Sequence, residues 1–271
     1  MARVRRKRAA RPVTALSISA SDSGGGAGAQ ADLLVFAAHG VHGVTVLTGG
    51  TAQNSRGITS SEPFSAQFIA AQCDAVFPDF RPRAVKIGAL LDARRIAAVA
   101  GALRRHRAVN IVLDPVLSAS AGGELLAPSA IAALQRDLLP LCAVVTPNLP
   151  EAAALAGIEV RTEADAAEAA RRISRTGAGA VLLKGGHARG RRVRDRLFEK
   201  GRLLAIEHPR VSTRATHGTG CMLSSAIAAN LARGHELDAA VARAIEYVHA
   251  GLNRGYFPGK GRGIPDRFPR D

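Results

Sequence analysis

The segment Thr216-His217-Gly218-Thr219-Gly220-Cys221 joins an anion cradle to a nucleophilic side chain. It opens a helical run that begins Met222-Leu223-Ser224-Ser225. Glycines let the backbone approach a ligand with no Cβ in the way. The N–H groups of a helix N-terminus point at negative charge, and a phosphoryl group in transfer spreads such charge over its oxygens. Gly218, Thr219 and Gly220 are therefore candidate donors to a transferring phosphoryl group. Cys221 falls in the first helical turn, where the helix field favours a thiolate, and is the candidate proton acceptor. The same pattern also serves as a plain glycine-rich helix cap.

Other polar residues sit where strands end. Asp114 closes the apolar run Val112-Leu113 and precedes Pro115. A carboxylate there can orient hydrated Mg²⁺, which prefers oxygen ligands and keeps several waters. Asn148 and Glu151 form an N-x-x-E pattern at a helix start, which places both on one face; a capping arrangement explains the same spacing. Lys184 ends a buried run and can reach a phosphate as a point charge, or can simply snorkel to solvent. The run Ser21-Asp22-Ser23-Gly24-Gly25-Gly26-Ala27-Gly28 is no Walker A loop, because no Gly-Lys-Ser/Thr closes it. Gln53 carries an amide that can both donate and accept a hydrogen bond to a ligand, though an isolated Gln lies on the surface more often than in a site.

The elements that must position these residues alternate. Strands are predicted at 13–19, 42–50, 84–88, 110–114, 143–146 and 180–184. Helices are predicted at 29–39, 66–77, 93–105, 128–138, 150–156, 163–176, 220–233 and 237–253. Such alternation indicates a three-layer α/β/α fold around a mostly parallel sheet. Residues 192–198 and 203–209 read as an antiparallel hairpin at a sheet edge, and 255–271 as loop. In such sheets ligands bind beyond the carboxyl ends of the strands, so Asp114, Thr146 and Lys184 arrive at one rim.

Composition narrows the alternatives. The 271 residues are 47% hydrophobic, enough for a core, and no linker or repeat divides them. A formal net charge of +15 raises the question of a polyanion partner. Much of it lies in Arg3–Arg11, and most of the rest is scattered along helices, as in Arg104-Arg105-His106-Arg107. With no interleaved aromatics, this reads as a solvated surface plus a disordered basic arm over residues 1–12, ahead of one domain at 13–271. Cys73, Cys142 and Cys221 are far apart with no CxxC pair, which argues against a disulfide framework or structural zinc. A reducing cytoplasm fits best. No signal peptide follows the basic start, and no run approaches the ~20 apolar residues of a membrane span.

Taken in order, the blocks resemble the ribokinase-like superfamily. They are Ser21–Leu33, Thr51-Ala52-Gln53-Asn54-Ser55-Arg56-Gly57, Val85-Lys86-Ile87-Gly88, Val112–Val116, Thr146–Ala152, Leu183-Lys184-Gly185-Gly186-His187 and the Thr216–Cys221 cradle. A Cys at the end of that cradle, where many superfamily members carry Asp, is similar to the hydroxymethylpyrimidine and phosphomethylpyrimidine kinases of thiamine synthesis. The resemblance covers 15–253. It implies ATP and Mg²⁺ as cofactors and a pyrimidine alcohol, then its monophosphate, as acceptor. It places Asp32, Gln53, Ala20, Ala89 and Val116 at the substrate, Lys184, Asn148 and Thr219 at the nucleotide, and Asp114 and Glu151 at the metal. It makes Cys221 the base, with Gly218, Thr219 and Gly220 around the transferring group, and a homodimer the expected assembly. Three positions depart from the pattern. Ala20 stands where Gly is frequent, Ala89 where Met is frequent, and Ile245 where a Lys near the nucleotide is frequent. Pyridoxal kinase activity on the same fold is the near alternative. A non-catalytic ligand-binding or nucleic-acid-binding protein is the distant one, disfavoured because Asp114, Glu151, Lys184 and Cys221 are all present.

Overall fold

The computed structural model describes residues 12–117, 130–186 and 190–269. Most of the basic arm, the start of the helix expected at 128, and His187 lie outside the described residues.

One nine-stranded sheet runs through the molecule in the order β3-β2-β1-β4-β5-β6-β7-β8-β9. Its strands are β1 (Thr14–Asp22), β2 (His42–Asn54), β3 (Gly57–Pro63), β4 (Ala84–Ile87), β5 (Ile111–Leu113), β6 (Val144–Val145), β7 (Ala180–Leu183), β8 (Arg192–Glu199) and β9 (Arg202–Pro209). Strands β2, β1, β4, β5, β6 and β7 pair in parallel. β3 pairs antiparallel with β2, and β8 and β9 extend the other edge antiparallel.

The inner strands are apolar on both faces, as a sheet covered on both sides requires. Alternate residues go to different cores. Val85, Ile87, Ile111, Leu113, Val145, Val181 and Leu183 pack with α2 (Ala66–Phe80), α3 (Ala93–Arg105), α5 (Leu149–Ala156) and α6 (Glu163–Arg175). Ala84, Val112, Val144, Ala180 and Leu182 pack with α1 (Gly28–Ala38), α7 (Thr219–Ala232) and α8 (Leu237–Asn253). This is the expected three-layer α/β/α arrangement, with the predicted hairpin in place at β8–β9.

Several local expectations change. β2 runs four residues beyond Gly50, and β3 was not anticipated. Gly57–Pro63 is polar and largely exposed, so it lacks the alternation that marks a half-buried strand. The helix expected over 128–138 is a short α4 (Ile131–Ala133) that widens into a π turn at Leu134–Leu138 and tightens to a 3₁₀ turn at Leu139–Leu141. Pro140 lacks the N–H that a continuing helix needs. The tail from Gly255 is loop, yet it is tied down. Tyr256 bridges Ile264, and the N–H of Arg262 donates to the Ser55 carbonyl at 2.8 Å.

Strand order reverses at β1, with β2 on one side and β4 on the other. That is the switch point where open α/β sheets form their ligand crevice. Beneath it lies a charged pair with no solvent access: Lys86 Nζ donates to both oxygens of Asp32 at 2.8 and 2.9 Å. Removing one member of such a pair leaves an uncompensated buried charge. Lys86→Met is therefore expected to lower the unfolding free energy by about 3–5 kcal/mol, and Asp32→Leu/Lys86→Met to recover much of that loss. Urea unfolding of both variants checks this, and a Lys86→Met protein as stable as the parent contradicts it.

Candidate active site

The carboxyl ends of β1, β4, β5, β6 and β7 open into a cleft of about 600 Å³. At one end lies the turn after β1. Asp22 folds that turn around its own carboxylate: Oδ1 accepts the N–H of Gly24 at 2.8 Å, and Oδ2 accepts those of Gly26 and Ala27 at 3.1 and 2.8 Å. Gly25 and Gly28 hold positive φ, which lets the chain double back. Burial alone would raise the Asp22 carboxyl. The hydrogen bond from His217 and the turn N–H groups outweigh burial and hold it below the usual carboxylate range. His217 Nε2 lies 3.1 Å from Asp22 Oδ2 and 3.3 Å from Gln53 Nε2. The two glycine turns thus interlock across 195 residues of sequence.

Gln53, Ala20, Ala89 and Val116 all line the cleft. Asp32 does not. It is fully buried, and both its oxygens are taken: Ser17 Oγ donates at 2.6 Å and Ser225 Oγ at 2.8 Å, besides Lys86. Its expected contact with substrate is therefore replaced by a role beneath the site.

In the middle, α7 begins at Thr219 behind Gly218, whose φ of 76° only glycine adopts easily. A methyl at Gly220 would sit 3.2 Å from Asp114 Oδ2 and 3.5 Å from Lys184 Nζ. The helix N-terminus, a carboxylate and an ammonium thus converge on one small volume. Lys184 Nζ donates to Asp114 Oδ1 at 2.8 Å and lies 3.6 Å from Glu151 Oε2. Burial opposes its charge, but these two carboxylates outweigh burial and keep it protonated. Burial pushes the Glu151 carboxyl up, against the pull of Lys184. Asn148 and Glu151 do form the reciprocal capping box at the start of α5: Asn148 Oδ1 accepts the Glu151 N–H at 2.9 Å and Glu151 Oε2 accepts the Asn148 N–H at 2.7 Å. Both capping residues also line the cleft. Among the described residues, no three His, Cys, Asp or Glu side chains gather as a metal cage.

Cys221 also lines the cleft, but the simple expectation of a helix-activated thiolate changes. Burial, with the Asp32 and Asp114 charges, pushes the thiol up; Lys86 and the Gly28 N–H pull against this without overcoming it. The far end is more apolar. Val211, Leu223, Val248 and Leu252 line it beside His208 and Arg210, and Ile245 is among them.

Sequence reasoning gave no role to Asp22, His217 or Lys86. An acid ahead of a glycine run is a signal for such a side-chain-to-backbone turn. A lysine inside Ala84-Val85-Lys86-Ile87 signals a buried charge that must have a partner.

Comparison with known proteins adds to this geometry. The model of the family described as phosphomethylpyrimidine kinase matches residues 22–266. The hydroxymethylpyrimidine/phosphomethylpyrimidine kinase of Rhizobium meliloti is 50% identical over 259 residues, spanning 94% of this chain and 97% of that one. The crystal structure of a phosphomethylpyrimidine kinase from Clostridium difficile superposes with a TM-score of 0.78 at 37% identity, covering 88% of this chain and 98% of the other. An ADP complex of Bacillus subtilis pyridoxal kinase superposes with a TM-score of 0.89 at 33% identity, covering 96% and 98%. The matched span runs from Asp22 of the first glycine turn to Asp266 behind the second, so it takes in every residue of the cleft named above except Ala20: the chain belongs to the phosphomethylpyrimidine kinase family.

Proposed function

We propose that this phosphotransferase moves the γ-phosphoryl group of ATP to the hydroxyl of 4-amino-5-hydroxymethyl-2-methylpyrimidine, and then to the resulting monophosphate, giving the diphosphate. The observation that carries this is the convergence of Gln53 at one end of the cleft with Gly218–Cys221, Asp114 and Lys184 in its middle. The acceptor oxygen attacks the γ-phosphorus. The bond from phosphorus to the β,γ-bridging oxygen breaks and ADP leaves; in the first transfer the hydroxyl proton passes to the thiolate form of Cys221, whereas the ionised monophosphate oxygen of the second transfer attacks with no proton to give up. Most of the acceleration comes from positioning and charge neutralisation. The N–H groups at the start of α7 face the transferring oxygens, while Lys184 supplies a fixed positive charge. Asp114 and Glu151 fit a Mg²⁺ ion held partly through waters, because the pair offers oxygen donors and retains negative charge beside a single lysine. Such an ion neutralises phosphate charge when bound. Thr219 and Asn148 complete the nucleotide side. Residues 13–271 act as one kinase unit, and a homodimer in the cytoplasm is the assembly and location we propose. Among the described residues no helix is long and apolar enough to cross a membrane.

Pyridoxal phosphorylation is the second reading, and the close superposition on a pyridoxal kinase favours it. Ala89, where Met is frequent, leaves room at the acceptor end for a ring with different substituents. Purified protein with Mg-ATP is expected to convert the pyrimidine alcohol through monophosphate to diphosphate, followed by phosphorus NMR. Fast pyridoxal turnover with almost none of the pyrimidine would overturn the first reading and leave the second.

Cys221 supplies a sharper test. Cys221→Ala should lower kcat by roughly 10²–10⁴-fold while ATP still binds. Because burial pushes the thiol above its ordinary value, the thiolate fraction grows only at alkaline pH, above the range in which a free cysteine ionises. Wild-type kcat should therefore climb at alkaline pH. Cys221→Asp should be flat there, since its carboxylate is already ionised, and should outperform Cys221→Ala. Cys73 and Cys142 are buried, their thiols pushed up by desolvation, and their Ala variants should keep near-normal kcat. A folded Cys221→Ala enzyme with unchanged kcat removes Cys221 from the mechanism.

A further inference from the structure

Arg267 lies near the end of the tail, beyond the last helix, yet only 2% of it is exposed. Its place is fixed from several sides. Its carbonyl accepts the Tyr247 hydroxyl of α8 at 2.5 Å, and the N–H of Asp266 donates to the Gly251 carbonyl at 3.0 Å. Its Nη2 donates to the carbonyl of Gly26 at 2.7 Å. The same Nη2 would lie 2.7 Å from a methyl placed on Gly218, which would also run into the Gly26 carbonyl oxygen. The guanidinium therefore packs where the two glycine turns meet, directly behind the residue that starts α7.

Two features set this cation apart. Its Nε and Nη1 are buried with no hydrogen-bond partner among the described residues. It also lacks a carboxylate partner among the described salt bridges, whereas Lys86 is held by Asp32 and Lys184 by Asp114 and Glu151. Burying a guanidinium with donors unmade is costly. The acidic groups it faces are the Cys221 thiol, Asp32 and two tyrosine hydroxyls, those of Tyr247 and Tyr256. Its positive field is thus largely uncancelled at the mouth of the anion cradle.

That field matters differently for the two transfers. In the first, the acceptor is a neutral alcohol, and only the nucleotide brings negative charge. In the second, the acceptor is a phosphomonoester with about −1.5 to −2 charges at neutral pH, pressed against the γ-phosphate. We propose that Arg267 is a positioning residue that holds the Gly26 and Gly218 turns together and supplies the uncancelled charge that lets the cleft accept the anionic acceptor, so that it governs the second phosphorylation more than the first. The inference rests on the two-step reading above. Arg267 does not line the cleft and acts through Gly26 and Gly218.

The test compares both steps in wild type, Arg267→Gln and Arg267→Lys. Gln keeps a donor for the Gly26 carbonyl but removes the charge; Lys keeps the charge. Each alcohol-to-monophosphate and monophosphate-to-diphosphate rate is measured separately, with KM for ATP and the thermal midpoint. In Arg267→Gln, kcat/KM for the monophosphate should fall by about 10–100-fold, less than the ~10²–10³-fold seen for donors that touch the reacting oxygens. The alcohol step should fall several-fold less, and KM for ATP should hardly change. Arg267→Lys should retain most of the wild-type ratio between the steps. A proportional fall in both steps in Arg267→Gln, or no fall, overturns the proposal. If Arg267→Gln does not fold, a folded Arg267→Lys that loses the monophosphate step alone overturns it, and one that keeps the ratio supports it. Failure of the two-step reading looks different, because wild type itself would then not consume the monophosphate.

Discussion

A lysine and an aspartate sealed from water set the geometry of the whole cleft. The Asp32 carboxylate gathers donors from three other elements: Ser17 of β1, Lys86 of β4 and Ser225 of α7. Asp32 itself belongs to α1. Ser225 stands four residues after Cys221, one helical turn deeper. Fixing Ser225 therefore fixes the height and rotation of the first turn of α7 against the strand ends. In a low-dielectric interior these bonds are strong when satisfied and costly when broken. The helix N-terminus is thereby held rigid, which an anion cradle needs if it is to meet charge that develops only during transfer.

Above this pair the charges are arranged in alternation. Lys184 sits between Asp114 and Glu151, and Asp22 sits inside a ring of N–H groups and His217. Lys184 and Asp22 thus each have their partners, and the start of α7 from Gly218 to Cys221 lines the cleft beside them. The cleft joins an acceptor end, built on the turn after β1, to a far end lined by α8. Under the proposed function a phosphoryl donor entering from one side and an acceptor from the other meet at the start of α7.

Much of this was legible in the residues. The alternation of apolar runs and helical patterns gave the parallel sheet because inner strands are buried on both faces and read as continuous apolar segments. The rule that ligands gather at the carboxyl ends of strands sends Asp114, Thr146 and Lys184 to one rim, and Lys184 does meet Asp114 there. What escaped has physical causes. β3 is an exposed edge strand without alternation, so its pairing with β2 carries no hydrophobic signal. Asp32 has the type of a ligand and the environment of a core residue, and only the packing of α1 against β1 and α7, with Lys86 reaching it from β4, decides between them. Arg267 depends on a tail that folds back against α8 and the first glycine turn, a contact spanning 241 residues that no local pattern encodes. Cys221 was placed correctly in the cleft, but its surroundings of two carboxylates and buried space raise the thiol, where position on a helix alone suggested the reverse.

Under the proposed function one cleft serves two acceptors of different charge, with the same ring against Gln53 and the same oxygen path to the start of α7. The most direct measurement is the initial rate of diphosphate formation from labelled monophosphate at saturating ATP, repeated with increasing amounts of the unphosphorylated pyrimidine alcohol. If both acceptors share the cleft, the alcohol inhibits competitively against the monophosphate, with an inhibition constant matching its own KM as substrate. Inhibition that is not relieved by more monophosphate, or no inhibition at all, contradicts the account.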